Sequence, residues 1–150
     1  MVAKTEVYTA SVAWTGGHRG RLKLGNGPEM DFSAPPASGG EAGLLTPEDA
    51  FVGAVNACVT LMFIWAAERF RLDLVSYECR AEGTKITDLD RTERFTRVVL
   101  RPRIVVRAGA ELSEAVEKRV RRGLDAAQKF SLVANSIKSE IVIEPDISIV

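Results

Sequence analysis

The sequence predicts an α+β protein in which antiparallel strands wrap around one long central helix. Three observations carry this. An apolar run near residues 50–67 follows a helix-start signal, segments of strict two-residue alternation stand on either side of it, and a second, amphipathic helix pattern occupies residues 114–129. With 150 residues, 46% of them hydrophobic and 27% charged, the chain has the size and balance of a single globular domain, 1–150, with a sizeable core.

Over residues 6–14, Val7, Thr9, Ser11 and Ala13 alternate with Tyr8, Ala10, Val12 and Trp14, the period of a strand with one apolar face. Gly16-Gly17 turns the chain, residues 21–24 return as a second strand, and Asn26-Gly27 signals a tight hairpin before a third at 30–32. Residues 33–45, with Pro35-Pro36 and Gly39-Gly40, read as a loop. Thr46-Pro47-Glu48-Asp49 then starts a helix: Thr46 as N-cap, Pro47 at the first helical position, and Asp49 where a capping box places a carboxylate. That helix is expected to reach about residue 70.

Two strands are expected at 72–82 and 95–107, joined through the polar segment 84–93. In the second, Val98, Leu100, Ile104 and Val106 share one face, and Arg97, Arg101, Arg103 and Arg107 the other. Pro102 lacks a donor, which predicts an edge position or a bulge. Ser113 is expected to cap the second helix, whose apolar stripe is Ala115, Val116, Val120, Leu124 and Ala127. A short helix within 130–136 and a last strand at 141–143, ended by Pro145, complete the chain.

Twenty basic residues balance twenty acidic ones, so charge calls for neither nucleic acid nor an anionic membrane. The arginine row reads as a solvated sheet face, since no aromatic residues interleave it for base stacking. The partner expected is a small molecule or another protein. Residues 1–6 contain no signal-peptide pattern, and the chain is expected in the cytoplasm. There Cys58 and Cys79 start as free thiols. The run 50–67 approaches membrane-span length but is interrupted by Gly53, Asn56 and Thr60, and reads as a core helix. Being apolar on nearly every side, it needs cover, and a second copy of the chain would supply it.

On the residues alone, Cys58 is either a small buried hydrophobe or a placed nucleophile whose pKa must be lowered by a neighbour. Cys79, in a strand, reads as structural. His18, the one histidine, reads as an exposed turn residue, since no second imidazole exists to build a metal site.

Thr46-Pro47-Glu48 opening an apolar helix, Ala57-Cys58 within it, and Ala127-Gln128-Lys129-Phe130-Ser131-Leu132-Val133-Ala134-Asn135-Ser136 near the end together resemble the OsmC/Ohr family of thiol-dependent hydroperoxide reductases. The order of elements is similar too. The resemblance implies an intertwined homodimer in which Cys58 attacks a peroxide oxygen as thiolate and becomes a sulfenic acid. It implies that Glu48, and an arginine from the N-terminal hairpin, either Arg19 or Arg21, support that thiolate. Ten residues of straight helix separate Glu48 from Cys58 by roughly 15 Å, so one arginine cannot meet both within a single chain. If both act, a second subunit supplies one.

The chain departs from the family at Ser131, where peroxidase members carry a second cysteine. A serine cannot resolve a sulfenic acid to a disulfide. Three readings stay open: a one-cysteine peroxidase resolved by an external thiol, a relative with other thiol chemistry, or a catalytically inactive dimeric small-molecule binding protein. No metal or organic cofactor is implied.

Overall fold

The computed structural model describes residues 3–150 and has a mixed α+β architecture. The chain divides into two compact units, one up to Phe51 and one over Val52–Val150.

In the first unit, β1 (Ala10–Gly16), β2 (Arg19–Leu24) and β3 (Glu29–Ser33) form an antiparallel meander in the order β1-β2-β3. The first strand begins at Ala10 rather than at residue 6 because its partner β2 ends at Leu24, opposite Ala10. Only one further bond, from the Gly25 amide to the Thr9 carbonyl, continues the pairing. The apolar alternation of this strand faces solvent: Val12 and Trp14 are both exposed. Gly16 and Gly17 make the first turn at φ 119° and 54°, values that glycine adopts without a Cβ penalty. A 3-10 turn at Pro36–Ser38 follows, and Phe32 bridges to Leu45.

Helix α1 (Pro47–Arg69) begins in this unit and runs on through the second. Its start is as the sequence predicts. The Asp49 amide donates to Thr46 Oγ1 at 3.0 Å, and that hydroxyl donates to the Asp49 carboxylate at 2.8 Å. Two acidic residues, Glu48 and Asp49, stand in the first turn, where the helix dipole favours them.

The second unit holds β4 (Asp73–Thr87), β5 (Glu93–Arg107), α2 (Ser113–Phe130), α3 (Leu132–Asn135), β6 (Glu140–Ile143) and β7 (Asp146–Ile149). The sheet is mixed rather than purely antiparallel: β4 and β5 form an antiparallel hairpin, while β6 and β7 both pair with β5 in parallel. The polar segment after residue 82 continues the ladder instead of ending it. Lys85 pairs across to Glu93 at 3.2 Å, and the tip is tied by Arg94 to Asp88 at 3.1 Å. The turn proper contains Arg91 in the left-handed region at φ 71°.

Pro102 is interior, not at an edge. It lies opposite Cys79 of β4, and on its other side it falls between the residues paired by β6, which end at Leu100, and those paired by β7, which begin at Arg103. The missing donor therefore costs no ladder bond. The strand β7 follows Pro145 and was not expected; its four residues are too few to show a period. The cap of α2 is Leu112, whose side chain makes no capping bond, and Ser113 is already helical. Ala115 is exposed, and Gly123 takes a place in the buried stripe with Val116, Val120, Leu124 and Ala127.

The core joins Val55, Val59, Phe63, Ala66 and Ala67 of α1 to Val98, Leu100, Ile104 and Val106 of β5 and to the stripe of α2. Each of the larger aliphatic side chains contributes about 1.5–3 kcal/mol by leaving water. On the outer face the arginine row pairs with neighbouring strands, Arg101 with Glu82 at 2.7 Å and Arg107 with Asp73 at 3.0 Å, the arrangement of a solvated face. Between α1 and β4, Phe63 stacks on Tyr77 with centroids 5.3 Å apart, and the Thr60 hydroxyl donates to Tyr77 Oη at 3.3 Å.

Two predictions follow from this packing. A Cβ on Gly83 would stand 2.6 Å from Val52 Cγ2 and 2.9 Å from the Phe95 ring. Gly83→Ala is therefore expected to cost about 1–3 kcal/mol in urea denaturation; an unchanged midpoint would mean that both neighbours give way. Burial pushes the Tyr77 hydroxyl from 10.0 up to about 12, against the opposing bond to Thr60. The folded pKa is the higher one, so stability is fully present below pH 10 and declines as pH rises from 10 towards 12. Tyr77→Phe should remove that share of the alkaline decline, read as the difference in denaturation midpoint between about pH 9 and about pH 11.

Candidate functional site

The residues expected to carry chemistry are distributed over both units. In the first, Arg19 and Arg21 are neighbours on one face of β2, and both are engaged by carboxylates. Arg19 Nη1 lies 2.6 Å from the Glu41 carboxylate and its Nη2 3.8 Å from Asp31. Arg21 reaches Asp31 at 3.3 Å and Glu29 at 3.9 Å. Asp31 is thus shared between them. Of these partners, Asp31 stands opposite Arg21 because the hairpin turns through three residues, Gly25-Asn26-Gly27; a two-residue turn at Asn26-Gly27 would have set Phe32 there. Glu41 comes from the loop.

That loop is anchored by the buried Ser33, whose hydroxyl accepts from the Glu41 amide at 3.1 Å, while the Ser33 amide donates to the Leu45 carbonyl at 2.9 Å. The exposed His18 meets the loop through its Nδ1, 3.3 Å from the Gly39 carbonyl. Glu48 makes no ion pair with either arginine among the described residues. One of its carboxylate oxygens is buried and has no hydrogen-bond partner. A buried carboxylate oxygen without a donor is costly, and it marks Glu48 as a side chain with spare accepting capacity.

In the second unit, Cys58 is half-buried on α1. Val55, Val59, Phe63 and Ala66 form the buried face of the helix, and Ala54, Ala57, Leu61 and Trp65 form the exposed one. Helical spacing puts Cys58 at the margin between the two faces. From Met62 onward the same flank opens into a groove shared with α2.

Cys79 differs. It lies in β4, its backbone carbonyl accepts from Asn56 Nδ2 at 2.9 Å, and burial pushes its thiol up, against the Tyr77 hydrogen bond that lowers it. Burial of this kind favours the neutral thiol over the nucleophilic thiolate. Asn56 Oδ1 is itself buried and unpartnered, so α1 carries a polar contact to β4 that the apolar pattern did not announce.

Ser131 is fully buried at the junction of α2 and α3. Its Oγ accepts from the Ala134 amide at 3.3 Å, which makes it the N-cap of α3. The serine has a structural role that a thiol would fill less well, sulfur being a weak acceptor. Among the described residues no group of three or more His, Cys, Asp or Glu is placed to hold a metal ion.

Solved structures share this fold along almost the full chain. An OsmC-like protein of unknown function from Vibrio cholerae is similar at TM-score 0.83 and 24% identity, over 94% of this chain and 99% of that one. An organic hydroperoxide resistance protein from Elizabethkingia anophelis is similar at TM-score 0.73 and 17% identity, over 99% and 100%. The organic hydroperoxide resistance protein OhrB of Bacillus subtilis follows at TM-score 0.65 and 16% identity, over 95% and 98%. No curated protein matches by sequence. The family model described as OsmC-like protein matches residues 39–146, well over half of the chain, and the chain belongs to that family.

Proposed function

We propose that this chain is a thiol-dependent hydroperoxide reductase with Cys58 as the nucleophile. The observation that carries the reading is the placement of Cys58, half-buried at the edge of the open face of α1, in an OsmC-like chain whose second thiol is held protonated. Structural neighbours that are named organic hydroperoxide resistance proteins support the choice of substrate class.

In the proposed cycle the Cys58 thiolate attacks one oxygen of the peroxide. The O–O bond breaks, the sulfur is oxidised to sulfenic acid, and the alkoxide leaves with a proton as the alcohol. An external thiol then displaces hydroxide from the sulfenic sulfur, giving water and a mixed disulfide, and a second external thiol releases Cys58. The external thiol is needed because Ser131 occupies the resolving position and its hydroxyl is already engaged as a cap. Arg19 or Arg21 would stabilise the thiolate and Glu48 would hold that arginine, which requires the arginine to leave its present carboxylates.

A homodimer completes the proposal. The open stripe Ala54, Ala57, Leu61 and Trp65 is the surface a second copy would cover. A cytoplasmic setting supplies the reducing thiols. One observation favours a second reading, a dimeric small-molecule binder without turnover: both arginines are neutralised in their own unit.

Purified protein should consume cumene hydroperoxide with a monothiol or dithiol reductant, and Cys58→Ser should abolish turnover. Loss of the supporting guanidinium, tested in Arg19→Ala and Arg21→Ala, should slow turnover about 10- to 100-fold in one of the two. No turnover with any reductant would leave the binder as the better reading. Ser131→Cys should cost about 1 kcal/mol through the weakened cap, and mild peroxide should then join it to Cys58, a bond read by mass spectrometry. Its absence would remove Ser131 from the resolving position.

A further inference from the structure

We propose that Glu41 is a latch on Arg19: the loop that carries it holds the guanidinium away from Glu48, and release of that loop hands Arg19 from one carboxylate to the other. All of these residues belong to the first unit. Two observations lead there. Glu48 carries a buried carboxylate oxygen with no hydrogen-bond partner, so it is short of a donor. Arg19 is engaged by Glu41 at 2.6 Å, much closer than by Asp31 at 3.8 Å.

The strand register brings donor and acceptor to the same end of the meander. Arg19 of β2 stands directly opposite Ser33 of β3, and the Ser33 amide donates to the Leu45 carbonyl. Leu45 bridges Phe32 in parallel, so the chain leaves Leu45 in the direction of β3, past Ser33, and enters α1 at the Arg19 end. Two inter-strand spacings, about 10 Å, separate the backbone of Arg19 from that of Leu45, a gap that an extended arginine and a glutamate close together. Arg21 stands opposite Asp31, farther along β2 from the start of the helix. Of the two arginines, Arg19 is therefore the one that Glu48 can take.

The latch is built to be released. Glu41 is bracketed by Gly39 and Gly43, at φ 85° and 88°, where glycine carries no Cβ penalty. What fixes its place is the buried Ser33, whose Oγ accepts from the Glu41 amide at 3.1 Å. The ion pair itself is open to water, with side chains 40% and 57% exposed, and a pair of that kind biases an equilibrium by no more than about five-fold. A pair at the buried oxygen of Glu48 is stronger but costs the guanidinium part of its water. The two positions of Arg19 are thus close in free energy, and the loop decides between them.

The test is a double-mutant cycle between Arg19→Gln and Glu48→Gln, read as urea unfolding constants at fixed protein concentration, in the parent chain and in Glu41→Gln. Coupling within about two-fold is expected in the parent and about five-fold or more in Glu41→Gln. Ser33→Ala, which frees the loop without removing a charge, should bring out the same coupling. This cycle involves neither Cys58 nor turnover. A further consequence rests on the peroxidase reading proposed above: Glu41→Gln should raise turnover of cumene hydroperoxide and move the pH profile of Cys58 alkylation to lower pH, and adding Glu48→Gln should cancel both. Coupling that is the same in parent and Glu41→Gln, or turnover that falls in Glu41→Gln, would overturn the latch. Coupling that appears in Glu41→Gln with no turnover in any variant would support the latch and remove the peroxidase reading instead.

Discussion

Everything in this molecule depends on how α1 is covered. Its 23 residues are long and apolar enough, by length and composition, to cross a membrane, yet only 28% of its most apolar stretch is buried by the chain itself. The buried side, from Val55 to Ala67, is matched by β4, β5 and α2 and supplies the core. The other side keeps Ala57, Leu61 and Trp65 exposed. Apolar surface of that extent on a helix calls for a partner, and Cys58 sits where the two sides meet. The chemistry of the thiol and the question of what covers the helix are thus one problem, because whatever lies over the open side sets the dielectric and the charges around the sulfur.

The two cysteines illustrate how position selects reactivity. Cys79 lies in a strand, bonded through its backbone to Asn56 and pushed towards the neutral thiol by burial. Cys58, half-buried like Cys79, lies instead at the margin of the open face of α1. Ser131 adds the third element: its hydroxyl is spent on the Ala134 amide as the cap of α3. On the proposed reading, a cycle built on Cys58 has to take its reducing thiols from outside. The arginines Arg19 and Arg21 meanwhile stand in a shared carboxylate cluster with Glu29, Asp31 and Glu41, so any role at the sulfur requires an exchange of partners.

Features with local causes were legible in the sequence. Thr46-Pro47 announced the start of α1 because a cap needs only four residues to be recognised, and the alternation of Val98 to Val106 announced the inner face of β5 because one strand suffices to show its period. Features set by distant partners were not. The hairpin of β4 and β5 runs past the apolar alternation because Lys85 and Glu93 pair across it, and Pro102 is accepted in an interior strand only because β6 and β7 leave a gap beside it. The cap of α2 is the unlikely Leu112, and the carboxylates that engage the candidate arginines include Glu41, brought near by a loop anchored on Ser33. At the candidate site, then, the sequence put forward Cys58, Glu48, Arg19 and Arg21 through a family resemblance, while their present bonding was not legible in it.

The most direct test of the central claim, that α1 presents Cys58 as a reactive thiol, is the rate at which each cysteine of the native protein is alkylated by iodoacetamide near neutral pH, resolved by peptide mass mapping. The account predicts that Cys58 is modified rapidly in the folded protein and that Cys79, its thiol pushed towards the neutral form, is modified more slowly. Labelling of Cys58 no faster than unfolding, or faster labelling of Cys79, would contradict it.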